Sequence, residues 1–103
     1  MDGKLVRDRI PEIIRAGGAE PISYRADEAE YRRRLREKLL EEVDEFLAAD
    51  EATAVEELAD ILEVVYALAT DLGTSREALE TVRAVKAAER GGFTDRVVWT
   101  GVR

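Results

Sequence analysis

The chain has 103 residues, 46% of them hydrophobic and 38% charged, which suits one soluble domain with a modest core. Its net charge of −7 argues against binding to nucleic acid backbones, and the absence of cysteine and histidine excludes thiol catalysis, thiolate zinc sites, disulfides and imidazole chemistry. Carboxylate, lysine, arginine and hydroxyl groups are what remain for chemistry. No apolar run approaches the roughly 20 residues that span a bilayer, and no signal-peptide pattern opens the chain, so a cytoplasmic protein is expected.

Both prolines fall before residue 22, and the rest of the chain is rich in Ala, Leu, Glu and Arg, which favours helix. The organisation expected is one domain over 1–103: an N-terminal arm at 1–26, a helical core at 27–90 and an extended tail at 91–103. In the arm, "VRDRIPEIIRAGG" offers Pro11 near the start of a short helix and Gly17-Gly18 as its stop. "PISYR" (21–25) alternates like a short strand. Asp27 followed by Glu30 reads as an N-cap with its box partner, so a first long helix is expected from about 28 to 48. A break at Ala49–Thr53 precedes a second helix running to about Leu72, stopped by Gly73. Thr74 and Glu77 form another capping box and open a third helix that ends at Gly91-Gly92. "FTDRVVWTGV" then reads as a strand able to pair with "PISYR".

The two long helices echo each other: "EEVDEFL" (41–47) and "EELADIL" (56–62) align Glu42 with Glu57 and Glu45 with Asp60. With each residue advancing about 100°, Glu45 lies about 60° from Glu42, and Asp60 lies about 60° from Glu57. Leu35, Leu39, Val43 and Phe46 occupy the other side of Glu42, so both helices carry two acids along one edge of the apolar face. Glu41 and Asp44 turn far round the helix toward solvent. A short connection makes an antiparallel hairpin. With its turn centred on Glu51, Glu45 lies level with Glu57 and Glu42 with Asp60. Four carboxylates converging beside an apolar interface repel one another unless a cation joins them. A hard divalent ion such as Mg²⁺, with Mn²⁺ as an alternative, prefers oxygen ligands. The competing explanation is a helix surface whose acids pair with the chain's many arginines.

These residues resemble a known family. "EEVDE" followed by "ELAD" is similar to the signature of the MazG-like, all-α nucleoside triphosphate pyrophosphohydrolases. The flanking "KLLEE", "KLVRDRIPEII" (4–14) and "KAAERGGFTDR" (86–96) resemble its phosphoribosyl-ATP pyrophosphohydrolase-like subgroup. The resemblance implies a helical, oligomeric fold and Mg²⁺-dependent cleavage between the α- and β-phosphates, giving a monophosphate and pyrophosphate. By position it implies Glu42, Glu45, Glu57 and Asp60 as metal ligands, with Glu41 in a supporting role. The 11 residues between Glu45 and Glu57 make a spacer slightly shorter than the family pattern.

With no histidine, either a ligand carboxylate, Glu42 or Glu45, or the metal itself would have to deal with the proton of an attacking water. Lys38, one turn before Glu42 on the same face, is a candidate phosphate contact; a surface ion pair with Glu41 or Glu42 explains it equally well. Arg83, Lys86 and Arg90 share a face of the third helix, where the helix dipole accounts for them. The resemblance adds Lys86, Arg90 and Arg96 as phosphate contacts, and Arg7 and Arg9 likewise, with ion pairs to Asp8 or Glu12 as the alternative. Tyr66 faces away from the acids and reads as packing, and Trp99 as core. Tyr24 and Phe93 are weak candidates for contact with a base. The second helix is apolar over more than half its circumference, so a homodimer at least is expected, closing a four-helix core. The fold class is therefore all-α: an antiparallel helical hairpin plus a third helix, completed by dimerisation, with short extended segments at both termini. The function expected is house-cleaning hydrolysis of a nucleoside triphosphate. The alternatives are phosphoribosyl-ATP cleavage in histidine synthesis, or a non-catalytic helical dimerisation module with a structural metal site.

Overall fold

A computed structural model describes residues 3–103; Met1 and Asp2, the first residues of the expected arm, lie outside it. It is all-helical, with four helices and, among the described residues, no strand: α1 (Ile10–Ala16), α2 (Glu28–Ala48), α3 (Ala54–Asp71) and α4 (Arg76–Arg90). Each boundary has a local cause. Pro11 opens α1, where its missing N–H costs nothing. The Asp27 side chain accepts from the Glu30 N–H at 2.8 Å to cap α2. The expected box does not close, because the Glu30 carboxylate instead accepts from the Tyr24 hydroxyl and from Arg34. In the connection after α2, Asp50 accepts from both the N–H and the hydroxyl of Thr53, each at 3.1 Å.

The end of α3 corrects one cap assignment. Gly73, at φ 84°, lets the chain turn so that its N–H reaches the Thr70 carbonyl while the Thr74 N–H reaches that of Ala69, both at 3.0 Å. Thr74 is thus engaged in closing α3, and Ser75 caps α4 by accepting from the Ala78 N–H at 3.1 Å.

Neither expected strand forms. Residues 21–25 run without regular structure, with Ile22 and Tyr24 exposed and the Tyr24 hydroxyl turned to Glu30. In the tail, a turn over Phe93–Arg96 interrupts the alternation, with Arg96 at φ 59°. Val97, Val98 and Trp99 are exposed, so Trp99 is not a core residue. Its indole N–H donates locally to the Gly101 carbonyl. No helix among the described residues is long and apolar enough to cross a membrane.

The packing centres on α2 against α3. Arg32, early in α2, pairs with Asp71 at the end of α3 at 2.9 Å, and Glu42, late in α2, meets Glu57 and Asp60 early in α3. Between these contacts lie the buried Leu35, Val64 and Ala69, flanked by half-buried Leu39, Val43, Phe46, Ile61 and Leu68. The N-terminal arm straps this pair. The Gly3 carbonyl accepts from Arg34 at 3.0 Å, Lys4 pairs with Glu41 at 3.4 Å, and Arg7 crosses to Asp60 on α3. Among the described helices α4 packs on α3 only, and there Arg76 stacks 4.2 Å over the Tyr66 ring.

Candidate metal centre

The acids cluster because the apolar faces of α2 and α3 must meet. Leu35, Leu39 and Val43 set the rotation of α2, and Ile61, Val64 and Leu68 set that of α3. Glu42 follows Leu35 by seven residues, so turning that stripe inward carries Glu42 inward too. It is the one charged residue among those described that is buried, with 6% of its surface exposed.

Two carboxylate triplets overlap at Glu42. Oxygens of Glu42, Glu57 and Asp60 lie within 4.8 Å of one another, and so do those of Glu41, Glu42 and Glu45. Of the level pairs expected from the turn, Glu42 and Asp60 fall in one triplet, whereas Glu45 and Glu57 share none. Glu42 meets both acids of α3, while the exposed Glu45 groups with its own helix. Glu41, expected in solvent, is half-buried under the arm; Asp44 is exposed. One oxygen of Glu42 and one of Glu57 (Oε2 in each) are buried without a hydrogen-bond partner. A desolvated carboxylate oxygen with no donor is costly, and either a hydrogen-bond donor or a cation would satisfy it. Burial pushes the Glu42 carboxyl above its usual value; Lys38 pulls it down, and the nearby Glu45 charge adds to the rise.

The cations around the acids are well placed. Lys38 Nζ lies 3.3 Å from both Glu41 and Glu42. Burial works against its charge, yet its hydrogen bonds to those two acids hold the ammonium above its ordinary value. Glu41 is also opposed by burial, but Lys38 and Lys4 keep its carboxyl below the usual range. The ion pair weighed as an alternative for Lys38 therefore exists, on the rim of the candidate site. Arg7 pairs with neither Asp8 nor Glu12: its guanidinium donates to Asp60. Arg9 does pair with Glu12, at 3.3 Å.

A cleft of about 390 Å³ opens beside the acids, between the arm and the α2–α3 pair. Arg7, Lys38, Glu42 and Asp60 form its polar wall, while Tyr31, Leu35, Val64 and Ile10 give it an apolar one. Burial raises the Tyr31 hydroxyl above its usual range, and the Asp71 and Asp8 charges add to the effect. Reasoning from the sequence missed Lys4 and Tyr31. Helical periodicity is silent on an irregular arm, although its alternation of cations with apolar residues, "KLVRDRI", suits a strap laid across an acidic and apolar groove.

The remaining candidates are not brought to the acids within one chain. Lys86 and Arg90 are exposed on α4, which does not touch α2, and Arg96 is exposed in the tail; none of them lines the cleft. Arg83 is engaged with Glu80 at 2.6 Å. Tyr66 lies under Arg76 on the opposite side of α3, as its helical angle implied, and Phe93 is fully exposed.

No family model and no solved structure matches the chain. A relative in Mycolicibacterium smegmatis, an uncharacterized protein, is 53% identical over 47 residues, which make up 46% of this chain and 48% of the relative. The matched segment spans about half the length of that relative.

Proposed function

We propose that the chain is a Mg²⁺-dependent nucleotide pyrophosphohydrolase, cleaving a nucleoside triphosphate or related nucleotide between its α- and β-phosphates. The observation that carries this reading is Glu42: a buried carboxylate with one unpartnered oxygen, shared by two carboxylate triplets. All the donors are carboxylate oxygens, a set that suits Mg²⁺ or Mn²⁺ and does not suit softer metals. Glu42, Glu57 and Asp60 would hold the ion, with Glu45 at the solvent side. When bound, the ion neutralises phosphate charge and lowers the pKa of a coordinated water.

The chain's own groups do the rest. Glu45, exposed beside Glu42, accepts the proton of the water as its oxygen bonds to phosphorus. The phosphoanhydride P–O bond breaks, and its electron pair leaves on pyrophosphate. Lys38, fixed by Glu41 and Glu42 in the wall of the cleft, contacts the phosphates, and the apolar wall at Tyr31 and Leu35 receives the nucleoside. In this reading α2 and α3 form an antiparallel hairpin, and a second copy completes a four-helix core. Lys86, Arg90 and Arg96 then reach a site only if the second copy supplies them. The resemblance to the MazG-like enzymes supports the same activity.

One observation favours a second reading. Lys4, Arg7 and Lys38 already neutralise three of the acids, as they would in a non-catalytic dimerisation module. Pyrophosphate release decides between them. With Mg²⁺ and a panel of ribo- and deoxyribonucleoside triphosphates plus phosphoribosyl-ATP, the wild type turns over at least one substrate. Glu42→Gln and Asp60→Asn each lose at least about a hundredfold, the upper range for residues that merely support a ligand. Activity equal in all three proteins removes the assigned site, and a wild type inactive on the whole panel leaves the module.

A further inference from the structure

Arg7 stands out because it contacts an acid that the catalytic reading needs for a cation. It belongs to the irregular arm, its side chain is about half exposed, and it reaches across the cleft to Asp60 rather than to Asp8 or Glu12, which are nearer in sequence. Asp60 shares a triplet with Glu42, whose unpartnered oxygen is buried at the same point. A guanidinium at a carboxylate that could also ligate a divalent ion competes with that ion, since both seek the same lone pairs. The arm itself is held independently by the Gly3 carbonyl on Arg34 and by Lys4 on Glu41, with Leu5 and Val6 half-buried. Arg7 can therefore leave Asp60 without the arm leaving the protein.

We propose that Arg7 is an exchangeable counter-ion: it neutralises Asp60 in the metal-free protein and is displaced by the divalent cation. It then turns to a phosphate or pyrophosphate oxygen of the ligand in the cleft it already lines. The inference rests on the metal-site reading above and adds to it a coupling between the two ligands. Cation binding releases the guanidinium that anion binding uses, so each ligand favours the other. The bidentate fork of arginine suits both partners, a carboxylate first and a phosphate second.

The test measures Mn²⁺ binding alone by calorimetry, then inorganic pyrophosphate binding with saturating Mg²⁺. It compares wild type, Arg7→Gln and Arg15→Gln. Arg15 pairs with Glu20 outside the cleft and controls for the loss of one positive charge. Removing the competing surface ion pair makes Arg7→Gln bind Mn²⁺ more tightly by about 1.5- to fivefold, while Arg15→Gln stays at the wild-type value. The same Arg7→Gln protein binds pyrophosphate more weakly than wild type. Unchanged or weaker Mn²⁺ binding by Arg7→Gln, an equal gain in Arg15→Gln, or unaltered pyrophosphate affinity overturns the exchange. In each of those cases the metal site itself survives, because the wild type still binds Mn²⁺. A wild type that binds no Mn²⁺ overturns both.

Discussion

Glu42 holds one of its oxygens near Lys38 and buries the other with no donor, in a place reached because Leu35 and Val64 must be covered. A residue chosen for stability alone would not be charged there, since an unpartnered buried carboxylate gives back part of what the neighbouring leucine contributes. Replacing it with glutamine removes the charge at nearly constant volume, and Lys38 keeps Glu41 as its partner. In EDTA, Glu42→Gln is therefore expected to melt higher than wild type. The gain is about 1 kcal/mol, or on the order of 5 °C for a domain of this size. Calorimetric scans of the two proteins check it. A lower Tm for the variant means that the Lys38 pair outweighs the buried charge. With saturating Mg²⁺ the order reverses, because only the wild type gains stability by binding the ion.

At the scale of the element, the helices were legible because their signals are local. Asp27, Gly73 and Gly91 act within a few residues of themselves, and the bounds of α2 fall where Asp27 and the Ala49–Thr53 break put them. The acids of α2 and α3 were legible for the same reason: a stripe and its edge follow from 3.6 residues per turn. The strands were not legible, because a strand needs a partner that its own sequence does not specify. "PISYR" alternates correctly, yet among the described residues no strand pairs with it, and Tyr24 is drawn to Glu30 instead. The ion pairs of Lys4 and Arg7 escaped for a related reason, joining residues 37 and 53 positions apart. The Tyr24 hydrogen bond carries a pH signature. It is the foremost reason that the Glu30 carboxyl sits below its usual range, so the stabilisation exists above the ordinary carboxylate pKa and is lost as pH falls through the lowered value. Tyr24→Phe should lower the Tm slightly at pH 7, and the gap between the two proteins should close on acidification. Melting curves from pH 7 to pH 3 measure this, and a gap that stays constant with pH excludes Glu30 as the partner that matters.

At the scale of the molecule, the chain is too open for its length. Its radius of gyration is 17.8 Å and its extents are 61 × 34 × 24 Å, whereas a compact domain of 100 residues has a radius of gyration near 13 Å. Among the described residues only Leu35, Val64 and Ala69 form a buried apolar core, which is little to set against the entropy of ordering four helices. Meanwhile Leu40 and Leu47 on α2, seven residues apart, are exposed with Val43 half-buried between them, and Val55, Leu58 and Leu62 are exposed on α3. These are helix-spaced stripes of the kind that face another helix, and the α2–α3 pair leaves them bare. The proposed second copy, presenting the same stripes, would cover them and supply the missing half of the core. Light scattering on the purified protein should then give at least twice the chain mass of 11.5 kDa. Leu47→Glu and Leu58→Glu, each placing a charge in the covered stripe while leaving the acids untouched, should shift the mass toward 11.5 kDa and lower the Tm together. Loss of mass with no loss of Tm would mean that the monomer is stable with these stripes exposed. A wild type that melts cooperatively at 11.5 kDa would count against the dimer altogether. If the dimer holds, its dissociation should also weaken Mg²⁺ binding. The α2–α3 contact that brings Glu42 to Glu57 and Asp60 has too little core of its own to keep two acidic helix faces together.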